Sequence, residues 1–168
     1  CLKANATWAF KDSANLKVGD LIKIHQNERF PADCILLHTT ERSGSVFIRT
    51  DQLDGETDWK LRKAVNFTQS LQPTEHVIRR ADLVINALPP NDQIYDFKGN
   101  MQSGTDDDVS KIEPLSLENT LWQNTVLASS GFVVACIVYT GKETRSEMNA
   151  KSPTMKFGKL DEEVNTLS

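Results

Sequence analysis

No apolar run in this chain exceeds eight residues, Phe132 to Tyr139, whereas a membrane-spanning helix needs about 20. The chain as given therefore crosses no bilayer on a helix of its own. Positive charge is not in excess either. The chain has 19 Lys and Arg against 23 Asp and Glu, a net charge of -4, with a pI near 5.4. That balance supplies no broad cationic field for a phosphate backbone, so no nucleic-acid partner is expected. Cysteine is scarce: Cys1, Cys34 and Cys136 cannot all pair within the chain, and two of them lie in apolar runs that read as core strands. Reduced, buried thiols in a cytosolic setting fit that usage. His25, His38 and His76 have neither Cys nor His partners at ligand spacing, so no metal site is expected. Gly141-Lys142 lacks the surroundings of a phosphate-binding loop, because Glu143 stands where Ser or Thr is required and Cys136 where the first glycine is. The chain opens on a cysteine without an initiator methionine and closes on a helical pattern without a capping glycine. It is therefore expected to be a piece of a longer polypeptide.

The 168 residues suit one domain with a proper core. A turn at Gly19-Asp20 leads into an alternating strand, and a buried strand is expected from Cys34 to His38. Ser45 to Thr50 and Trp59 to Val65 read as half-buried strands, with Lys60, Arg62 and Lys63 on the wet face of the second. Thr74 to Arg80 suggests a short helix with Thr74 as N-cap. Leu83 to Ala87 and Gln93 to Phe97 read as extended chain on either side of the Pro89-Pro-Asn turn, and Gly99 to Val109 as a mobile loop with three successive aspartates. Asn124 to Ala128 and Phe132 to Tyr139 are expected to form a hairpin at Ser129-Ser-Gly, the second strand being central because it is apolar on both faces. A short helix follows over Lys142 to Asn149. Phe157, Leu160, Val164 and Leu167 then form one apolar stripe, which suits either packing on the domain or a stalk helix. Many short strands with brief helices indicate a mainly β fold of the sandwich or jelly-roll kind.

Four carboxylates, Asp51, Asp54, Glu56 and Asp58, fall within eight residues between two of these strands. Gly55 allows backbone angles that a side chain would forbid. Rigid strands on both sides would hold a short loop whose tip presents a carboxylate to another surface. Glu56 is the candidate for that role, with Asp54 and Thr57 holding the loop by local hydrogen bonds and Gly55 permitting close approach. Leu53 and Trp59 are expected to be anchors. An EF-hand calcium loop does not fit: counted from Asp51, the third position is Leu53 and the twelfth is Arg62. An Asp-Gly turn in a hairpin with solubilising carboxylates is the plain alternative.

Val18-Gly-Asp-Leu-Ile, Phe30-Pro-Ala-Asp-Cys-Ile-Leu-Leu, Asp51-Gln-Leu-Asp-Gly-Glu-Thr-Asp-Trp-Lys and Tyr139-Thr-Gly-Lys-Glu-Thr follow one another in this order. In order and spacing the chain resembles, from about Leu16 to Ser168, the actuator domain of P-type ATPases. Asp54-Gly-Glu-Thr, where ion pumps of the family usually carry Thr-Gly-Glu-Ser, is similar to the type IV branch, the phospholipid flippases. So are Pro90-Asn, Ile94-Tyr-Asp-Phe-Lys-Gly and Leu117-Glu-Asn-Thr-Leu. Many flippases have an Arg-Gly pair soon after that Glu-Asn. Here the chain runs Thr120-Leu-Trp-Gln-Asn-Thr, which resembles the subgroup working without an auxiliary subunit.

The resemblance implies a distorted jelly-roll or β-sandwich actuator domain over residues 16–150, a lead-in from a membrane stalk over 1–15, and a linker or stalk helix over 151–168. It implies that Glu56 orients and deprotonates the water attacking an aspartyl phosphate, with Asp54, Gly55 and Thr57 supporting its loop. The domain itself would hold no cofactor and no metal. ATP and Mg2+ would be used by the parent, whose phosphorylation and nucleotide-binding domains are the implied partners, and lipid would be handled by its transmembrane helices. The setting implied is the cytosolic face of a Golgi, endosomal or plasma membrane, with the isolated domain inactive. No Asp-Lys-Thr-Gly-Thr sequence is present, so the phosphorylated aspartate lies outside these residues. A type V pump shares the fold and a related loop, but Trp59-Lys-Leu and Pro90-Asn favour the flippase branch. A non-catalytic β module docking a basic partner through Asp51, Glu56 and Asp58 is a different class of reading. A self-sufficient hydrolase is disfavoured, since no Ser, Cys or His constellation accompanies the loop.

Overall fold

The computed structural model describes residues 12–70, 83–103 and 112–151. Cys1, His76, the helix expected over Thr74 to Arg80 and the stripe from Phe157 to Leu167 lie outside the described residues, as does 104–111 of the expected loop.

Two strands without a polar face organise the fold. Strand β2 (Asp33–Thr39) is buried at every position, and β10 (Phe132–Tyr139) pairs with it antiparallel. β1 (Leu21–His25) covers the other edge of β10, and β8 (Thr120–Leu121) covers the other edge of β2, giving the order β1-β10-β2-β8. Period-two alternation sends neighbouring side chains to opposite faces. Cys34, Leu36, Val133, Ala135 and Ile137 therefore enter one core, while Ile35 and Leu37 enter a second. Tyr139 breaks the alternation by joining the second core, and the ladder shifts register between Ile137 and Tyr139. Each large side chain buried this way contributes roughly 1.5–3 kcal/mol.

The first core is closed by a sheet of β4 (Trp59–Lys63), β3 (Ser45–Arg49) and β9 (Val126–Leu127), in the order β4-β3-β9, through Val46, Ile48 and Leu127. The second core is closed by β5 (Leu83–Ala87), β6 (Gly99–Ser103) and β7 (Glu113–Leu115), with Met101, Leu115, Phe97 and Trp122 packed inside. The helices are brief: α1 (Asp51–Asp54), α2 (Asn66–Gln69) and α3 (Arg145–Lys151). The expected mainly β sandwich with a few short helices is what is found.

Four local expectations are overturned. Gly99–Ser103 is not loop but the middle strand of its sheet, paired on both sides. Gln93 to Phe97 is not a strand, because its backbone carbonyls are taken by side chains instead of a neighbouring strand. Trp122 Nε1 donates to the Ile94 carbonyl (2.9 Å) and Arg145 Nε to that of Gln93 (3.2 Å). Ser129-Ser-Gly does not close a hairpin: β9 pairs with β3 and β10 with β1 and β2, so the turn carries the chain between sheets. Gly131 makes that passage at φ +86, and a Cβ there would overlap the Thr40 hydroxyl. Finally, Arg62 lies on the inner face of β4, its Nε donating to the Thr120 carbonyl at 3.0 Å, while Leu61 faces solvent. The guanidinium replaces a strand partner between two sheets, and for that it must be inside.

One buried knot ties the loops to this frame. Asp33 accepts the backbone N–H of Gln123 (2.8 Å) on one oxygen and that of Arg145 (2.7 Å) on the other. The Arg145 guanidinium, buried, lies 4.6 Å from the Trp122 ring centre and 4.9 Å from that of Tyr139. Truncating it leaves the carbonyls of Gln93 and Asp96 without their guanidinium donor and removes the cation beside Asp33, whose two backbone N–H donors remain. We expect Arg145→Ala to lower the unfolding free energy by about 2–4 kcal/mol in urea titrations, through the two carbonyls left without a donor and the packing lost against the rings. Burial pushes the Asp33 carboxyl up from 3.8 to about 6, against the two N–H donors and the Arg145 charge, which pull it down. A pKa raised on folding means that the folded state binds the proton more tightly. This contribution is therefore fully present below pH 3.8 and is lost as pH rises through about 6. Across that window the unfolding free energy should fall by up to about 3 kcal/mol, and Asp33→Asn should flatten the slope in unfolding curves taken at stepped pH.

Candidate functional site

The acidic stretch leaves β3 at Arg49 and re-enters the sheet at Trp59, its paired residue. The ends of the excursion are thus held side by side by the ladder. In between, the chain forms one helical turn rather than the plain loop expected. The N–H groups of Leu53 and Asp54 both donate to the Thr50 carbonyl (2.9 Å each), and that of Gly55 to the Asp51 carbonyl (3.0 Å). Gly55 ends the turn in the left-handed region, φ 76 and ψ 0, the usual residue for a helix C-terminus of this kind. A Cβ at Gly55 would meet nothing within 4 Å, so glycine is required here by backbone angle and not by space.

Asp54 organises the residues around it. Its Oδ1 accepts the Thr50 hydroxyl (3.0 Å) and the Glu56 backbone N–H (2.9 Å), and its Oδ2 accepts the Tyr95 hydroxyl (3.1 Å). Both oxygens are therefore engaged, and the backbone of Glu56 is pinned one residue after the glycine. The Glu56 side chain projects with about half its surface exposed (49%), and its Oε1 accepts from Lys60 Nζ. That hydrogen bond, with the nearby Asp54 and Asp58 charges, raises the Lys60 pKa. Partial desolvation and the Asp54 carboxylate raise that of Tyr95. Asp51, Thr57 and Asp58 are exposed, and among the described residues the Thr57 hydroxyl makes no hydrogen bond. Leu53 packs at the edge of the second core. Trp59 is no anchor: it is 57% exposed and lies 6.0 Å from the ring of Phe47.

Thr50, Lys60 and Tyr95 were not assigned roles from sequence. Lys60 had a readable signal, four residues after Glu56. Tyr95 had none, because it lies 41 residues away from Asp54. Chemically, this is one carboxylate on a fixed turn. Among the described residues no group of three or more His, Cys, Asp or Glu could hold a metal, and no Ser, Cys or His is bonded to Glu56. The turn offers a base or a docking point and depends on another surface for a reacting centre.

No family model matches the chain. Curated relatives do. It is 51% identical over 156 residues, 93% of the chain, to phospholipid-transporting ATPase NEO1 of Saccharomyces cerevisiae, and covers 13% of that protein. It is likewise 51% identical over 156 residues to the probable phospholipid-transporting ATPase tat-5 of Caenorhabditis elegans, covering 14% of it. To phospholipid-transporting ATPase DNF1 of Saccharomyces cerevisiae it is 30% identical over 151 residues. The chain thus spans roughly an eighth of the length of relatives such as NEO1. Among the described residues no helix is long and apolar enough to cross a membrane. With half its residues identical to NEO1 and tat-5 over nearly all its length, the chain is homologous to one segment of the type IV, phospholipid-transporting P-type ATPases.

Proposed function

We propose that this segment is the actuator domain of a phospholipid-translocating ATPase and that Glu56 drives hydrolysis of the aspartyl phosphate formed in a separate domain. The domain body occupies residues 16–150, with 1–15 leading in from a preceding membrane stalk and 151–168 leading towards the next membrane segment. ATP and Mg2+ are used by the phosphorylation and nucleotide-binding domains of the same polypeptide. Phospholipid is engaged by its membrane helices, no auxiliary subunit is invoked, and the domain works on the cytosolic side of the membrane.

The observation that carries this reading is a half-exposed carboxylate on a turn whose backbone is fixed by Asp54. In the reaction, Glu56 removes a proton from water as the water oxygen attacks phosphorus. The bond from phosphorus to the aspartyl oxygen breaks, and the products are inorganic phosphate and a free carboxylate, with the proton on Glu56. A lone carboxylate is repelled by a phosphoryl group unless cations neutralise it. Lys60 holds Glu56 in the undocked domain, and the cations of the assembled site take over on docking. The turn is inert alone and active when docked, which couples hydrolysis to the domain movement that accompanies lipid transport. Asp54 and Gly55 support the turn, Asp54 through its three hydrogen bonds and Gly55 through its left-handed backbone, while Thr57, expected to share that task, stands exposed beside Glu56.

The test is phosphoenzyme decay in the full-length protein after a pulse of labelled ATP. Glu56→Gln should phosphorylate normally and lose its phosphate about 10²- to 10⁴-fold more slowly, the usual size of general-base assistance. Asp51→Asn and Asp58→Asn should decay like wild type. If all three carboxylates contribute small and similar amounts, the turn is an acidic docking surface and the catalytic assignment is wrong.

A further inference from the structure

Tyr95 is 61% exposed, a position where an aromatic ring gains little from burial. Its hydroxyl nevertheless donates to Asp54 Oδ2 at 3.1 Å. The segment that carries it has an unusual backbone. Four of its carbonyls are occupied by side chains: that of Asp92 by Asn149 Nδ2 (2.7 Å), that of Gln93 by Arg145 Nε (3.2 Å), that of Ile94 by Trp122 Nε1 (2.9 Å) and that of Asp96 by Arg145 Nη2 (3.4 Å). Arg145 and Asn149 are four residues apart on α3 and so share one face of it. An Asx turn, the Gln93 N–H donating to Asn91 Oδ1 at 2.9 Å, starts the segment. Tyr95 is thus presented from a strap clamped to α3 and to a buried indole, and it reaches out to the acidic turn.

The consequence for Asp54 is rotational. A carboxylate held on one oxygen can still turn about its χ2 bond, which is soft for this residue type. With Tyr95 on Oδ2, the other oxygen is kept facing the Thr50 hydroxyl and the Glu56 N–H. We propose that Tyr95 is a positioning residue for the dephosphorylation turn, acting through Asp54 to fix the backbone of Glu56 and tying that turn to α3. This rests on the function proposed for Glu56.

The experiment uses the full-length protein and compares wild type, Glu56→Gln, Tyr95→Phe, Asp54→Ala and the Tyr95→Phe/Asp54→Ala double variant in phosphoenzyme decay and steady-state ATP hydrolysis. Tyr95→Phe removes only the hydroxyl and should leave thermal unfolding unchanged. Its phosphoenzyme should form at the wild-type rate and decay about 3- to 10-fold more slowly, the rate equivalent of one hydrogen bond. Because only the second half of the cycle slows, kcat and KM for ATP should fall together with kcat/KM constant, a pattern that general damage to the fold does not produce. In the Asp54→Ala background, Tyr95→Phe should add nothing. If Glu56→Gln decays like wild type, the function assigned to the turn fails and this inference fails with it. If Glu56→Gln retains its phosphate while Tyr95→Phe decays at the wild-type rate, or slows decay equally with and without Asp54, the role of Tyr95 is overturned and that of Glu56 stands.

Discussion

Asp33 and Arg145 are two charged residues in one interior, and the stretches around Gln93 to Asp96, Gln123 and Arg145 are held by the partners they find. Asp33 uses its two oxygens on two backbone N–H groups from separate stretches of chain. Arg145 spends its guanidinium on carbonyls of a third stretch and on three aromatic rings, those of Trp122, Tyr139 and Phe97. A buried charge without such partners would be strongly unfavourable, so losing any of these contacts weakens the rest. That mutual dependence is what makes irregular chain as definite here as a sheet would be. Burial still raises the Asp33 carboxyl to about 6, the sign that desolvation outweighs the partners it has.

The frame around this knot is a central sheet buried on both sides. β2 and β10 supply side chains to two cores at once, so the outer sheets are each packed against the same pair of strands. The outer sheet carrying the acidic turn is further tied to the centre by Arg62, through the Thr120 carbonyl. The turn itself therefore needs no core of its own. It is suspended between paired residues Arg49 and Trp59 and closed by Asp54, so the Glu56 side chain lies at the surface, held there by Lys60, while its backbone stays put. Preorganised backbone with an exposed reactive group is the combination that a domain acting in trans requires.

Much of this was readable in order along the chain. Leu21–His25, Asp33–Thr39, Ser45–Arg49, Trp59–Lys63 and Phe132–Tyr139 are strands where alternation or an unbroken apolar run placed them, and Asp54-Gly-Glu-Thr was visible as a turn. The misreadings have a common origin. Gly99–Ser103 has the composition of a loop but is a strand because β5 and β7 pair with it on both sides. Gln93 to Phe97 has the composition of a strand but is not one because Trp122 and Arg145 hold its carbonyls. Arg62 looked like a solvated cation and is buried, whereas Trp59 was expected to be an anchor and is exposed, as is Leu61. On β4 the wet face was assigned by polarity, but Arg62 turns inward and donates to the Thr120 carbonyl 58 residues away.

The sequence by itself determined the five strands Leu21–His25, Asp33–Thr39, Ser45–Arg49, Trp59–Lys63 and Phe132–Tyr139, and that one carboxylate stands beyond a glycine between two of them. These depend on local period and on backbone angles, which neighbouring residues dictate. Tertiary structure alone decided which residues hold that carboxylate in place. Tyr95 meets Asp54 across 41 residues, Trp122 meets Ile94 across 28, and Arg145 meets Gln93 across 52. No periodicity encodes such pairings. They are settled only when buried polar groups, brought together by the two cores, must find partners in one another.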